Sequence, residues 1–219
     1  MSASVPASAI AKTPVPTRPV STYPPPLSGK YANLPPLPED KAPDGKSYVN
    51  PPAADGKPSE AYGRFTAPLD NGIRGGFDVH IYHDPSDAEQ AAYALQLWER
   101  IRREFPELRI YRFWQVPIGP HPLAMFEVNL HTPAHFGAFV PWLAIWRGPL
   151  SALVHPNTLP HSAPGGEAEA EAEDEGRREL RNHTERAMWM GERLELSTAI
   201  FDKMSEAAAA ARQKKDGQE

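Results

Sequence analysis

Fifteen of the 26 prolines in this 219-residue chain fall before residue 70, and that asymmetry limits where a hydrogen-bonded core can form. The runs Pro24-Pro25-Pro26, Pro35-Pro36-Leu37-Pro38 and Pro51-Pro52 favour extended polyproline backbone and remove amide donors. The apolar residues between them are scattered and bury too little surface to offset the entropy of ordering. Residues 1–72 are therefore expected to be a disordered Pro-rich tail. Such a tail serves as an inert linker, as a docking segment for a proline-recognising partner, or as an extension that wraps the domain. The core must come from residues 76–204, followed by a second tail over 205–219, where Ala207–Ala211 allow a helix that carries no chemistry.

Charge excludes one class of partner. The formal net charge is -5, and Glu167, Glu169, Glu171, Glu173, Asp174 and Glu175 supply six of the 28 acidic residues. Without them 23 basic residues face 22 acidic ones, so no basic footprint for nucleic acid is present. No apolar run is long enough to cross a bilayer, and no secretory signal pattern opens the chain. The chain has no cysteine, which excludes disulfides and thiolate metal sites and fits a cytoplasmic protein.

The core segment has a readable element order. Phe77 to His83 alternates as a strand, with Val79 and Ile81 on one face and Asp78, His80 and Tyr82 on the other. Ser86-Asp87-Ala88-Glu89 has capping-box spacing. It opens a helix in which Ala88, Ala91, Ala92, Leu95, Trp98, Ile101 and Phe105 recur at helical spacing, before Pro106. Leu108–Trp114 reads as a second strand, followed by a Pro- and Gly-rich loop over 115–123. Met125–Leu130 alternates again. Thr132-Pro133 then caps a helix lined by Phe136, Phe139, Val140, Leu143 and Trp146, with a kink expected at Pro141 and a stop at Gly148. Ser151–His155 is a last short strand. Strand, helix, strand, strand, helix, strand defines an α+β, ferredoxin-like βαββαβ sandwich: an antiparallel sheet with both helices on one face. His80 then lies on the face opposite the helices, where a ligand could sit. Residues 161–179 read as an exposed acidic loop insertion.

Chemistry in this chain must rest largely on its eight histidines. His80 is mid-strand beside Asp78. His121 is held between prolines in Pro117-Ile118-Gly119-Pro120-His121-Pro122. His155 ends a strand in Val154-His155-Pro156-Asn157-Thr158, and His183 lies in Asn182-His183-Thr184. Each alone is more often a hydrogen-bonded structural residue than a ligand. His131 and His135 have the i, i+4 spacing of a helical metal pair, but Pro133 intervenes. His83 and His161 carry no signal. Glu127 shares the His80 face and could be a carboxylate ligand or a hydrogen-bonded strand residue. No Gly-rich phosphate loop and no nucleophile elbow are present, which leaves metal chemistry or simple binding.

Taken in order, these motifs resemble the DOPA 4,5-dioxygenase family. The resemblance runs from Asp78-Val79-His80-Ile81-Tyr82, through Phe113-Trp114 and the Pro117–Pro122 loop, to Met125-Phe126-Glu127-Val128 and Val140-Pro141-Trp142-Leu143. It continues through Arg147-Gly148-Pro149-Leu150, Leu153–Thr158, Asn182-His183-Thr184 and Ala187–Gly191, about residues 76–201 in all. Asn182 stands where many members carry an acidic residue. The resemblance implies a non-haem iron(II) enzyme, or one using another divalent metal, that opens a catechol such as DOPA with O₂ by extradiol cleavage. It implies His80, His121 and His155 as metal ligands and His183 with His121 as acid–base groups, the roles of His121 and His183 being exchangeable. Tyr82, Asn157 and Arg112 become substrate-contacting candidates. Asp78 is a candidate to orient an imidazole, and Arg147 an alternative partner for a substrate carboxylate. The contrasting expectation is a non-enzymatic ferredoxin-like module that binds a small molecule or dimerises through its open sheet face, and a homodimer is conceivable on either reading.

Overall fold

The computed structural model describes residues 25–27, 29–53, 55–160 and 174–216. The chain divides into two units, 1–50 and 51–219. In the first, a single turn of 3-10 helix spans Gly29–Tyr31, and Lys41 pairs with Tyr48 in an isolated bridge, its Nζ 3.2 Å from the Tyr48 ring centre. Residues 1–24 and 161–173, where the first part of the tail and most of the acidic loop were expected, lie outside the described residues.

The second unit is built on a five-stranded antiparallel sheet. Its strands are β1 (Phe77–His83), β2 (Arg109–Ile110), β3 (Ala124–Leu130), β4 (Ala152–Pro156) and β5 (Met188–Met190), in the order β2-β3-β1-β4-β5. The helices are α1 (Ala88–Glu104), α2 (Pro133–Trp146), α3 (Glu175–His183) and α4 (Ala199–Asp216). The order of the first four strands is that of the βαββαβ sandwich, so the expected fold is present, with β5 added beside β4.

Alternation along β1 divides the sheet into two faces. Val79 and Ile81 join Phe126, Val128, Ala152 and Val154 beneath Ala94, Leu97 and Ile101 of α1 and Phe139 and Leu143 of α2. That is the main core, and both helices cover it. On the opposite face Tyr82, Met125 and Leu153 form a second cluster with Trp114, Ile118 and Trp189 packed against it.

Local chemistry sets the helix limits, with some departures from expectation. Asp87, not Ser86, caps α1: its carboxylate accepts from the amides of Glu89 and Gln90, while the Ser86 hydroxyl donates to Asp84. The geometry is that of an Asx cap, and the longer reach of Asp competes well with Ser for these donors. Thr132 caps α2 by accepting from the His135 amide, and Pro133 takes the first turn. The helix continues past Pro141, which leaves the carbonyl four residues back without its helical donor. Gly148, at φ 58°, takes the left-handed position after the helix, and an added Cβ there would lie 2.5 Å from the Tyr93 ring. The second strand is shorter than Leu108–Trp114. Regular pairing is confined to Arg109–Ile110, although Tyr111 and Trp114 still donate to the Glu127 and Met125 carbonyls.

Three boundaries move. Packed structure begins before residue 76: Phe65 is buried with its ring edge-on to Phe77, and Asp70 donates its amide to the Asn157 carbonyl. Residues 174–179, expected as loop, are the cap and first turns of α3. The segment 205–216, expected as tail, is a continuation of α4. Asp174 caps α3 by accepting from the Arg177 amide, and the Ser205 hydroxyl of α4 donates to the same carboxylate. Gly176 lets the two helices meet, because a Cβ there would lie 2.2 Å from the Phe201 carbonyl oxygen. Gly176→Ala is expected to cost about 1–3 kcal/mol of stability by forcing α3 off α4, read as a lower urea midpoint at unchanged m-value.

Candidate metal centre

The second face of the sheet carries polar rows set by register. Asp78 lies opposite Asn129 on β3 and His155 on β4, and His80 lies opposite Glu127 and Leu153. Antiparallel partners share a face, so these side chains converge. His183, the last residue of α3, reaches the same place from outside the sheet. His80, His155 and His183 are all buried, and each presents a possible ligand atom within 4.8 Å of the others'. The His155 and His183 rings are 3.9 Å apart between centres, and those of His80 and His155 are nearly parallel at 5.1 Å.

Hydrogen bonds on the outer nitrogens decide which lone pairs face inward. His155 donates Nδ1–H to the Pro156 carbonyl at 3.2 Å, and His183 donates Nδ1–H to the Glu179 carbonyl at 2.9 Å. Each then keeps a proton-free Nε2. The Nδ1 of His80 is buried without a hydrogen-bond partner among the described residues, with Glu127 Oε2 3.9 Å away. The Nε2 atoms of His80 and His155 are 3.0 Å apart. Two imidazole ligands at about 2.1 Å from one ion, roughly 90° apart, have this spacing. The three residues thus fit a divalent cation, since their ligand nitrogens crowd together and outer partners fix the His155 and His183 rings as ligands need.

Burial favours the neutral form of the four clustered imidazoles. Burial first, then neighbouring histidines, lowers His80 and His155 well below the ordinary value, and burial lowers His183 too. His121 falls to about 3 for the same first reason. Asp78 moves the other way, up to about 7, because it is buried and faces Glu127. Burial raises Glu127 as well. The Asn129 amide donates to both carboxylates, at 2.7 Å to Glu127 Oε1.

The histidine trio with Asp78, Glu127 and Asn129 forms the floor of a cavity of about 460 Å³. Its rim is Ile73, Arg74, Arg109 and Tyr111. Arg74 pairs with Glu179 at 3.1 Å and donates to Asn157 Oδ1 at 3.3 Å, and Arg109 donates to the Ile73 carbonyl at 2.8 Å.

The sequence candidates fall into place unevenly. His80 and His155 are in the trio, joined by His183 rather than by His121. The His121 ring stacks 4.0 Å from that of His80, but its Nδ1 is 2.7 Å from the Tyr82 hydroxyl. Tyr82 is therefore engaged with a protein partner rather than lining the cavity. Asn157 is buried beneath Arg74 and supports the rim. Arg112 lies over Trp114, 3.4 Å from its ring centre, and Arg147 donates to the Leu150 carbonyl, so neither lines the cavity. The arginines that do, Arg74 and Arg109, had no signal beyond their charge. Asn182 turns away from the trio to accept from Thr158 and Arg186, and Glu179, one turn before His183, supplies the orienting acceptor. His131 and His135 are 6.4 Å apart between ring centres and belong to no metal-capable group among the described residues. His83 stacks on Phe113, and its Nε2 is 3.1 Å from the Trp114 carbonyl oxygen. His161 lies outside the described residues. Among the described residues no helix is long and apolar enough to cross a membrane.

A small enzyme with a buried histidine trio at the floor of a cavity is the class these features define. The Dopa 4,5-dioxygenase family model matches residues 77–200, and the chain belongs to that family. Among curated proteins, an uncharacterised 21.2 kDa protein of Botryotinia fuckeliana is 58% identical over 189 residues, covering 86% of this chain and 96% of that protein. The DOPA 4,5-dioxygenase of Amanita muscaria is 30% identical over 125 residues, 55% of this chain but 46% of that one. A solved structure from Nostoc punctiforme, assigned as a candidate dioxygenase, is 30% identical, covers 59% of this chain and 93% of its own, and superposes with a TM-score of 0.46.

Uncharged imidazoles give the metal-free protein a defined acid response. A histidine whose folded pKa lies below its unfolded value contributes stability at high pH that is lost as pH falls from about 6.5. The raised carboxyls of Asp78 and Glu127 act oppositely, losing their contribution as pH rises toward about 7. Four histidines outnumber two carboxyls, so the net effect is loss on acidification. Chelator-treated protein is expected to lose roughly 1–3 kcal/mol per pH unit between pH 6 and 5, measured by urea unfolding, with a shallower slope in His155→Gln.

Proposed function

We propose that the protein is a non-haem iron extradiol dioxygenase that opens the ring of a catechol with O₂. The observation that carries this reading is the convergence of three buried imidazoles, each offering a ligand nitrogen within 4.8 Å of the others', at the floor of a cavity large enough for one substituted aromatic ring. His80, His155 and His183 are the ligands, which exchanges the roles that the sequence motifs suggested for His121 and His183. Neutral imidazoles leave a divalent ion its full charge, which favours an anionic ligand such as a catecholate. When bound, iron(II) supplies the Lewis-acid and redox centre that eases catechol deprotonation and brings ring and O₂ together.

The chain's own groups do the rest. Asp78 and Glu127, poised beside the ligands and tied by Asn129, accept the proton that leaves a catechol hydroxyl. They also favour an ammonium group on the substrate side chain. Arg74 and Arg109 at the rim favour a carboxylate there. A catechol amino acid of the DOPA kind satisfies both, and family membership supports the same substrate class. A purely binding role is disfavoured because four histidines gather at one point instead of lying dispersed over the sheet face.

Anaerobic iron(II) loading followed by air and a panel of catechols tests the proposal. A yellow ring-opened product is expected with L-DOPA. His183→Ala should fail to retain iron, whereas His121→Ala should retain it; the opposite pattern would overturn the ligand assignment. Arg109→Ala should raise KM about tenfold for carboxylate-bearing catechols and leave dopamine little changed, as expected for one lost hydrogen bond to a charged group.

A further inference from the structure

Four imidazoles meet in this site, yet only three fit a common ion, and the hydrogen bonds that set His121 apart from His155 and His183 explain the division. Tyr82 lies two residues after His80 on β1, so both side chains share one face of the sheet. Its ring is 1% exposed and stacks against Trp189, 5.7 Å between centres at 18°. A buried phenol needs an acceptor for its proton. Among the described residues its hydroxyl meets one, His121 Nδ1 at 2.7 Å. The hydroxyl therefore donates, Nδ1 holds the lone pair, and the His121 proton sits on Nε2.

That tautomer is the reverse of the one in His155 and His183, whose Nδ1–H groups point at carbonyls and leave Nε2 bare. In His121 one nitrogen is occupied by the phenol and the other by a proton, so neither is a ligand atom. The ring nevertheless lies 4.0 Å from that of His80 and 6.0 Å from that of His183, close enough to compete for a cation. The loop cannot carry it away. His121 closes a bridge with Ile118, and Pro120 accepts from the Ser197 amide.

We propose that Tyr82 is a positioning residue that holds His121 in the Nε2–H form, keeping it out of the ligand set and leaving the ion three histidines and open positions. This rests on the metal-centre reading above but concerns a residue outside the trio. Without the hydroxyl, Nδ1 is free to take the proton, Nε2 becomes bare, and His121 can join as a fourth ligand.

The test uses the full-length protein with ¹⁵N-labelled histidine, loaded with zinc(II) as a diamagnetic probe. Wild type should show His121 as the Nε2–H tautomer against Nδ1–H for His155 and His183. Tyr82→Phe, which keeps the ring and its packing, should move His121 toward Nδ1–H. With cobalt(II), the visible bands should change to those of a site with one more nitrogen. In the iron-loaded enzyme the same substitution should lower kcat at least about tenfold with KM within about threefold. An Nδ1–H His121 in wild type, or an unchanged tautomer and cobalt spectrum in Tyr82→Phe, would overturn the proposal. Absence of catechol cleavage by wild type would sink the dioxygenase reading alone, since the tautomer and cobalt measurements need no turnover.

Discussion

Burying several imidazoles in mutual contact favours the neutral form of each, and hydrogen bonds on the outer nitrogens of His121, His155 and His183 fix three of the four rings. The rest of the site follows from that constraint. Pro156 at the end of β4 accepts from His155, Glu179 in α3 accepts from His183, and Tyr82 in β1 donates to His121. His80 is the exception: its Nδ1 has no hydrogen-bond partner among the described residues, and Glu127 Oε2 of β3 lies 3.9 Å away. Each partner comes from a different element, so the orientation of the imidazoles is a property of the assembled sheet and helix rather than of a local motif.

The sheet can hold such a polar cluster because β1 spends its two faces differently. Val79 and Ile81 anchor the apolar core under α1 and α2, while Asp78, His80 and Tyr82 face away from it. The polar rows lie in register with Asn129, Glu127 and His155, so charge and hydrogen-bond partners meet without loops reaching inward. Asn129 ties two carboxylates, Asp78 being raised first by burial and then by Glu127, and Arg74 supplies opposing charge from the rim. The main apolar core and the polar cluster thus lie on opposite sides of one strand, with the smaller Tyr82, Met125 and Leu153 cluster beside the latter.

Much of this was legible in sequence, for stated reasons. Alternation placed β1 and β3, and Thr132-Pro133 placed the start of α2, since period and capping are local signals. The αβ order gave the topology. What failed was what local pattern does not encode. Helix α3 has few apolar residues and runs through Arg177, Arg178, Glu179 and Arg181, so its sequence resembles a solvated loop, although Arg178, Glu179 and Asn182 are buried. Its existence depends on a cap at Asp174 and on docking against α4. The roles of His121 and His183 were exchangeable because spacing along the chain does not say which ring nitrogen is already engaged. Arg74 and Arg109 reach the cavity only through tertiary contact, whereas Arg112, the sequence candidate, stacks on Trp114.

The dependence on α3 has an energetic consequence. A nine-residue helix is too short to be stable in isolation, so its position comes from Asp174, Gly176 and the ion pair between Arg74 and Glu179. Glu179 both pairs with Arg74 and, through its carbonyl, orients His183. The third histidine of the trio is therefore carried by an element of low intrinsic stability, while the other two stand on central strands. A cation held by all three joins helix to sheet, so that docking of α3 and occupancy of the site become linked equilibria. Without such a cation α3 would be held by its cap, by α4 and by the Arg74–Glu179 pair, whereas the core beneath α1 and α2 rests on separate apolar contacts.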